Sequence, residues 1–79
     1  MASPLIIRNL TVAGRRTSAR FDSVVWEAFR DVAARRGQTV HELATEIDRT
    51  RGPHSLSNSI RMYIIQFYRE MLSGRAATG

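Results

Sequence analysis

The sequence predicts a mainly helical fold that opens with a short β-ribbon and continues with three helices. Three observations support this prediction. Polar and apolar residues alternate up to Phe21, which is the period of a strand. After Asp22 the apolar residues recur at the spacing of a helix. Gly37 and the pair Gly52–Pro53 then divide the rest of the chain into further helical segments.

The ribbon strand is expected at residues 15–21, after an N-terminal extended segment at residues 1–13 and a turn at Gly14. Alternation gives this strand two unlike faces. The inward face carries Thr17, Ala19 and Phe21. The outward face carries Arg16, Ser18 and Arg20.

The helices are expected at residues 23–36, 39–50 and 55–73. Asp22 and Ser23 are candidate N-caps for the first, and Gly37 is a typical helix end. The second opens with a capping box formed by Thr39 and Glu42.

The third helix is expected to begin among Ser55, Ser57 and Asn58 and to stop before Gly74, leaving a flexible tail at 74–79. Its apolar residues cover more than half of its circumference, so it needs more than one neighbour. Arg61 falls within this arc and is expected to pair with Asp48 or Glu46.

The size of the chain points to a homodimer. With 79 residues and no cysteine, it buries little apolar surface and has no disulfide framework. A partner subunit would cover the wide apolar arc of the third helix.

The charge indicates an acidic partner such as nucleic acid. The formal net charge is +5 with a pI near 11.3, and all twelve basic residues are arginine.

No apolar run approaches the length of a signal-peptide core or a membrane span, so we expect a cytoplasmic protein without a membrane partner. His41 and His54 have no cysteine or acidic cluster at metal-ligand spacing, so we expect them to be surface or loop residues and expect no metal and no cofactor. No nucleophile–base pair, phosphate-binding loop or glycine fingerprint appears, so we expect no enzymatic activity.

The ribbon residues suit recognition of double-stranded DNA. A two-stranded ribbon, one strand from each subunit, fits the major groove, which is about 12 Å wide. Arg16, Ser18 and Arg20 would then face the base edges; the alternative is a solvated strand face that discourages unwanted pairing. Three further residues are expected to contact phosphates: Arg15, Thr39 and Ser57. Thr39 and Ser57 are expected to do so in addition to capping their helices.

Four segments carry a resemblance to a known family: "GRRTSARF", "VVWEAF", "ATEIDRTRG" and "LSNSIRMYII". Together they cover most of residues 5–70, and their order resembles short bacterial ribbon-helix-helix domain proteins, relatives of the Arc- and MetJ-type repressors. The resemblance implies an intertwined dimer, an antiparallel ribbon across its axis, and a transcriptional regulator that binds DNA through the ribbon.

The sequence leaves two structural points open. Both 39–50 and 55–73 resemble the second helix of the family; we expect 55–73 to be the dimer-packing helix and 39–50 to be an addition. Residues 5–12 either stand apart or fold back as a hairpin, which would make the dimer sheet four-stranded and too wide for the groove.

Two other functions remain as alternatives to DNA binding. One is a dimeric protein-interaction module that uses the sheet or the basic face against a protein partner. The other is the antitoxin of a toxin–antitoxin pair.

Overall fold

Two strands and three helices make up the part of the chain that the computed structural model describes, the backbone of residues 4–78 and the side chains of residues 4–74. They are β1 (Leu5–Val12), β2 (Arg15–Asp22), α1 (Ser23–Arg35), α2 (Val40–Thr50) and α3 (Leu56–Thr78). This order confirms the predicted fold class. The ends of the predicted N-terminal segment (1–3) and tail (79) lie outside the described residues.

The two strands form an antiparallel hairpin within one chain. Ala13 and Gly14 connect them with φ values of 51° and 81°, as in the two-residue turns that match the twist of paired strands. The register places Leu10 opposite Thr17 and Asn9 opposite Ser18. Residues 5–12 therefore fold back on the ribbon strand, which decides one of the two points left open by the sequence.

The hairpin has a buried and an exposed face, because residues directly opposite each other in a ladder share a face. On the inner face, four apolar side chains are at most 6% exposed: Leu10, Val12, Ala19 and Phe21. The outer face consists of Leu5, Ile7, Asn9, Thr11, Arg16, Ser18, Arg20 and Asp22. All of these except half-buried Asp22 are exposed, so the predicted alternation of the ribbon strand is confirmed.

The inner face packs against α1 through aromatic rings. The ring centroid of Phe21 lies 5.5 Å from that of Trp26 and 6.5 Å from that of Phe29. Phe21 is 1% exposed, and Phe29 and Val32 are completely buried. The core is therefore continuous from the hairpin into the first helix.

The start of α1 differs from the capping that the sequence suggests. Asp22 occupies the N-cap position, but its side chain makes no capping hydrogen bond. Its carboxylate instead pairs with Arg61 at 3.5 Å. Arg61 was expected to pair with Asp48 or Glu46, and that expectation is wrong. Each of those acids forms an ion pair with another arginine: Asp48 with Arg51 at 2.6 Å, and Glu46 with Arg36 at 3.1 Å.

The junction between α1 and α2 follows the prediction. Gly37 has a φ of 70°, and the amide of Gln38 donates to the carbonyl of Ala33 at 2.9 Å, which closes α1 with a Schellman motif. The capping box at the start of α2 is present in both directions. Thr39 Oγ1 accepts from the amide of Glu42 at 3.0 Å, and Glu42 Oε1 accepts from the amide of Thr39 at 2.8 Å.

The start of α3 agrees with the prediction, but its capping residue and its end differ. Ser55 Oγ accepts from the amide of Asn58 at 3.2 Å and so caps the helix, whereas Ser57 is its second residue. The helix continues to Thr78, so the predicted end at residue 73 and the tail are wrong for residues 74–78. Gly74 does not adopt the left-handed conformation that ends α1 at Gly37, and two alanines after it favour helix.

The apolar arc of α3 is covered only in part within the chain. Leu56, Ile60 and Ile64 are at most 8% exposed in the common core. Three further apolar side chains of α3 remain between 51% and 63% exposed: Met62, Ile65 and Leu72.

A polar contact ties α3 to α1. The hydroxyl of Tyr68 donates to Asp31 Oδ2 at 2.8 Å, and Arg35 Nε lies 3.3 Å from the same oxygen. The bond from Tyr68, and then that from Arg35, lowers the pKa of Asp31. Burial and the bond to Asp31 raise the pKa of Tyr68.

The burial of the inner face predicts that substitutions at neighbouring positions of β2 have different effects on stability. Phe21→Ala should destabilise the fold by about 3–5 kcal/mol, because it empties a buried aromatic site. Arg20→Ala, the matched surface control, should change stability by no more than about 0.5 kcal/mol. Denaturant unfolding measures both. Equal losses at the two positions would contradict the assignment of the faces.

The contact between Tyr68 and Asp31 predicts a pH dependence. Because the folded pKa of Asp31 is depressed, its ionised form contributes stability at neutral pH that is lost as the pH falls below about 4. Tyr68→Phe removes the larger cause of the depression and should weaken this acid-induced loss. Tyr63→Phe on the same helix, where no bond to Asp31 exists, is the control. Thermal unfolding between pH 7 and pH 2 would reveal the difference.

Candidate nucleic-acid interface

The outer face presents two arginines without acidic partners. Arg16 and Arg20 are exposed at alternate positions of β2, and no ion pair to either is found within the described residues. Four arginines of the helical part are paired with acids: Arg35, Arg36, Arg51 and Arg61. The one acid of the hairpin, Asp22, is itself engaged by Arg61. The positive charge on the outer face is therefore not neutralised by the protein.

Ser18, the third predicted ribbon residue, is joined to the neighbouring strand. Its hydroxyl donates to Asn9 Oδ1 at 2.9 Å. Asn9 and Thr11 lie on the outer face opposite Ser18 and Arg16, and the sequence analysis missed both. The available signal was the short turn at Ala13–Gly14. A two-residue hairpin turn fixes the register and brings the odd-numbered residues of β1 onto the same face as Arg16 and Arg20.

Helix α2 covers the outer edge of β1 near the turn. The amide of Thr11 donates to His41 Nδ1 at 3.0 Å, and the amide of Ala13 donates to Thr45 Oγ1 at 3.0 Å. Backbone groups that would otherwise attract another strand are thereby satisfied. His41, expected to be a surface residue, is exposed on α2 and has this structural role.

The edge of β2 is open by contrast. The amides of Thr11 and Ala13 point away from β2, so the ladder bonds of the hairpin involve the even residues of β1 and the odd residues of β2. The amides and carbonyls of Arg16, Ser18 and Arg20 then point away from β1. Within the described residues, no side chain bonds to these amides. The residues of the basic face thus also form the free edge of the sheet.

Arg15, a predicted phosphate contact, lies apart from Arg16 and Arg20. It is opposite Val12 on the inner side of the hairpin and is exposed. It lines an open hollow of about 280 Å³ that Arg51 and Leu56 also line. The hollow places Arg15 near the start of α3, where Ser57 is the second residue.

Thr39, another predicted phosphate contact, caps α2 beside the outer edge of β1. The bond between His41 and Thr11 places the first turn of α2 against that strand. The capping box uses the amides of Thr39 and Glu42, which leaves those of Val40 and His41 for an outside acceptor. The contacts of Arg15, Thr39 and Ser57 with phosphate stay predictions.

The described part of the chain contains no group of three residues that could hold a metal ion. It also contains no helix that is long and apolar enough to cross a bilayer.

Comparison with known proteins identifies the family. Residues 5–68 match the model of the ribbon-helix-helix domain. The chain belongs to this family. No curated protein matches it. The solved structure of an uncharacterized protein from Bordetella pertussis Tohama I is similar at 24% identity with a TM-score of 0.75. That similarity covers 94% of this ribbon-helix-helix chain and 63% of the Bordetella chain, and it shows a shared fold.

Proposed function

We propose that this protein is a homodimeric transcriptional regulator, of the repressor type, that binds specific sites in double-stranded DNA through the outer face of its hairpin. Ribbon-helix-helix domains are commonly DNA-binding regulators. The observation that carries the proposal is the pair Arg16 and Arg20, exposed at alternate positions with no acid against them. Such guanidinium groups can bond guanine O6 and N7 together, or phosphate oxygens.

The open edge of β2 supports the dimer. A second copy can add its own β2 antiparallel to the first, because Arg16, Ser18 and Arg20 present unused backbone donors and acceptors. The edge of β1 is less suited to this purpose, since α2 packs beside it and His41 and Thr45 already accept from the amides of Thr11 and Ala13 at its turn end. Pairing through β2 brings the arginines of both copies together at the centre of one sheet.

The exposed apolar residues of α3 support the dimer independently. Met62, Ile65 and Leu72 leave apolar surface in water in a chain that is small for a stable monomer. An intertwined partner would cover them, as the wide apolar arc of this helix predicts.

A protein-interaction module is the second candidate. Leu5 and Ile7 are 64% and 60% exposed on the outer face, which favours an apolar partner at that end of the hairpin. DNA offers apolar contact mainly through thymine methyl groups, so this end of the face is the part that DNA binding explains least.

The dimer predicts that stability depends on protein concentration. Because the dimer forms only from folded chains, the unfolding midpoint should rise as the protein is concentrated. Ser18→Pro removes an amide that points away from β1 and should abolish this dependence while the hairpin stays intact. Thr17→Pro, whose amide points towards β1, is the control and should unfold the hairpin itself. A concentration-independent midpoint together with a monomer mass in sedimentation would rule out the dimer.

The basic face predicts a steep salt dependence of DNA binding. The logarithm of affinity should fall with the logarithm of salt concentration by about 0.9 for each phosphate contact, with roughly 6–8 contacts per dimer. Arg16→Ala and Arg20→Ala should each lower specific binding by about 1–3 kcal/mol per half-site if the guanidinium contacts a base. Arg30→Ala on α1, across the sheet from the outer face, is the control.

Titration of duplex DNA at several salt concentrations, after selection of a preferred site, measures both effects. A flat salt dependence, or no duplex binding near ~50 mM salt, would favour the protein-interaction module instead.

A further inference from the structure

Because each subunit contributes a two-stranded hairpin, the sheet of the dimer is wider than the major groove of DNA. This width limits how the sheet can dock on DNA. We propose that the sheet lies across the mouth of the major groove, with β1 of each subunit against the phosphate backbone. Asn9 and Thr11 then bind phosphates, while Arg16 and Arg20 alone reach down to the bases. This inference rests on the proposed function and adds a contact surface to it.

Strand β1 cannot leave the sheet to make room. Its side chains Leu10 and Val12 are 0% and 5% exposed in the core, and separation would bring both into water. It would also break the ladder to β2 and the two bonds that α2 makes to the amides of Thr11 and Ala13. The unit that approaches DNA is therefore the whole hairpin.

The dimensions prevent a four-stranded sheet from entering the major groove completely. Neighbouring strands are about 4.8 Å apart, so the two outer strands of a four-stranded sheet are separated by roughly 14 Å before side chains are added. The major groove is about 12 Å wide. Two central strands fit between the groove walls, and the outer strands meet the walls themselves. In the order β1–β2–β2–β1 of the dimer, the strands on the walls are the two copies of β1.

The residue types agree with these positions. On the outer face β2 carries the long side chains of Arg16 and Arg20, which suit a groove about 8.5 Å deep. In the half of β1 next to the turn, the same face carries the short polar side chains of Asn9 and Thr11, both exposed, whereas the other half carries Leu5 and Ile7. An amide N–H and a hydroxyl are donors, and phosphate oxygens are acceptors that carry negative charge.

Ser18 has a positioning role in this arrangement. Its hydroxyl donates to Asn9 Oδ1 at 2.9 Å, so the oxygen of the Asn9 amide is turned towards β2 and Nδ2 is left as the outward donor. Its own side chain is too short to reach the bases from the mouth of the groove. Ser18 therefore acts on DNA through Asn9.

The test compares Asn9→Ala and Asn9→Asp in binding to a selected duplex and to random duplex. Asn9→Ala should weaken both by the same factor, roughly 2- to 12-fold per half-site, which is the worth of one net hydrogen bond. Asn9→Asp keeps the shape of the side chain but sets a negative charge against the phosphate. Its loss of DNA affinity should therefore be larger than that of Asn9→Ala, and again equal for both duplexes. Selection from a random pool should return the same preferred site for each variant.

Several results would overturn the inference. A changed base preference at one position in Asn9→Ala would mean that Asn9 reads a base. Unchanged affinity in both variants would mean that β1 does not touch DNA. If Arg16→Ala and Arg20→Ala also leave binding unchanged, the proposed function fails with it; if those two weaken binding, only the docking mode is wrong.

A second measurement does not depend on the folding of the aspartate variant. Binding can be measured to duplexes in which single phosphates are replaced by uncharged methylphosphonates. At one position, the replacement should weaken binding by the original protein but not binding by the Asn9→Ala variant. Absence of such a position would count against the inference.

The role of Ser18 is tested by a double-mutant cycle. Ser18→Ala should weaken DNA binding by the original protein but should have no further effect when Asn9 is already alanine. Ser18→Thr, which keeps the hydroxyl, should bind DNA as the original protein does. Additive losses would show that Ser18 contacts DNA independently of Asn9.

Discussion

Burial of the inner face of the hairpin is the constraint on which the rest of the structure depends. Phe21 and Leu10 are removed from water against α1 and α2, and the period of the strand then forces Arg16, Ser18 and Arg20 outwards. A slip of one residue would expose Phe21 and bury arginine, so packing of the core fixes the orientation of the basic face. The same alternation thus sets both the stability of the hairpin and the surface proposed to recognise DNA.

Helix α2 makes the two edges of the hairpin unlike. His41 and Thr45 accept from the amides of Thr11 and Ala13 at the turn end of β1, while the outward amides of Arg16, Ser18 and Arg20 carry no such bond among the described residues. This asymmetry favours β2 as the edge for pairing between copies and hinders the addition of a strand at the covered end of β1, which is the hazard of an exposed edge. Helix α2 therefore has a definite task beside the ribbon.

Local patterns explain how far the sequence could predict the fold and the candidate site. The capping box at Thr39, the helix end at Gly37 and the alternation before Phe21 each involve neighbours in the chain, and the structure agrees with all three. The partner of Arg61 depends on which groups meet in space, and no local pattern gives it. Asn9 likewise enters the site only through the pairing of two strands, which also brings Ser18 to it.

The arrangement of charge links the fold to its proposed partner. Three acids of the helices, Asp31, Glu46 and Asp48, pair with Arg35, Arg36 and Arg51, which lie in or directly after α1 and α2. Asp22 pairs with Arg61 on α3. Such exposed pairs add little to stability. Because Arg61 engages Asp22, the one acid of the hairpin, no ion pair among the described residues neutralises Arg16 or Arg20. Arg16 and Arg20 extend from a strand fixed by a rigid core, so contact with DNA requires the ordering of side chains and not of backbone. Because that ordering entropy opposes binding, a preformed basic strand binds phosphate and base edges more tightly than a mobile basic tail of equal charge.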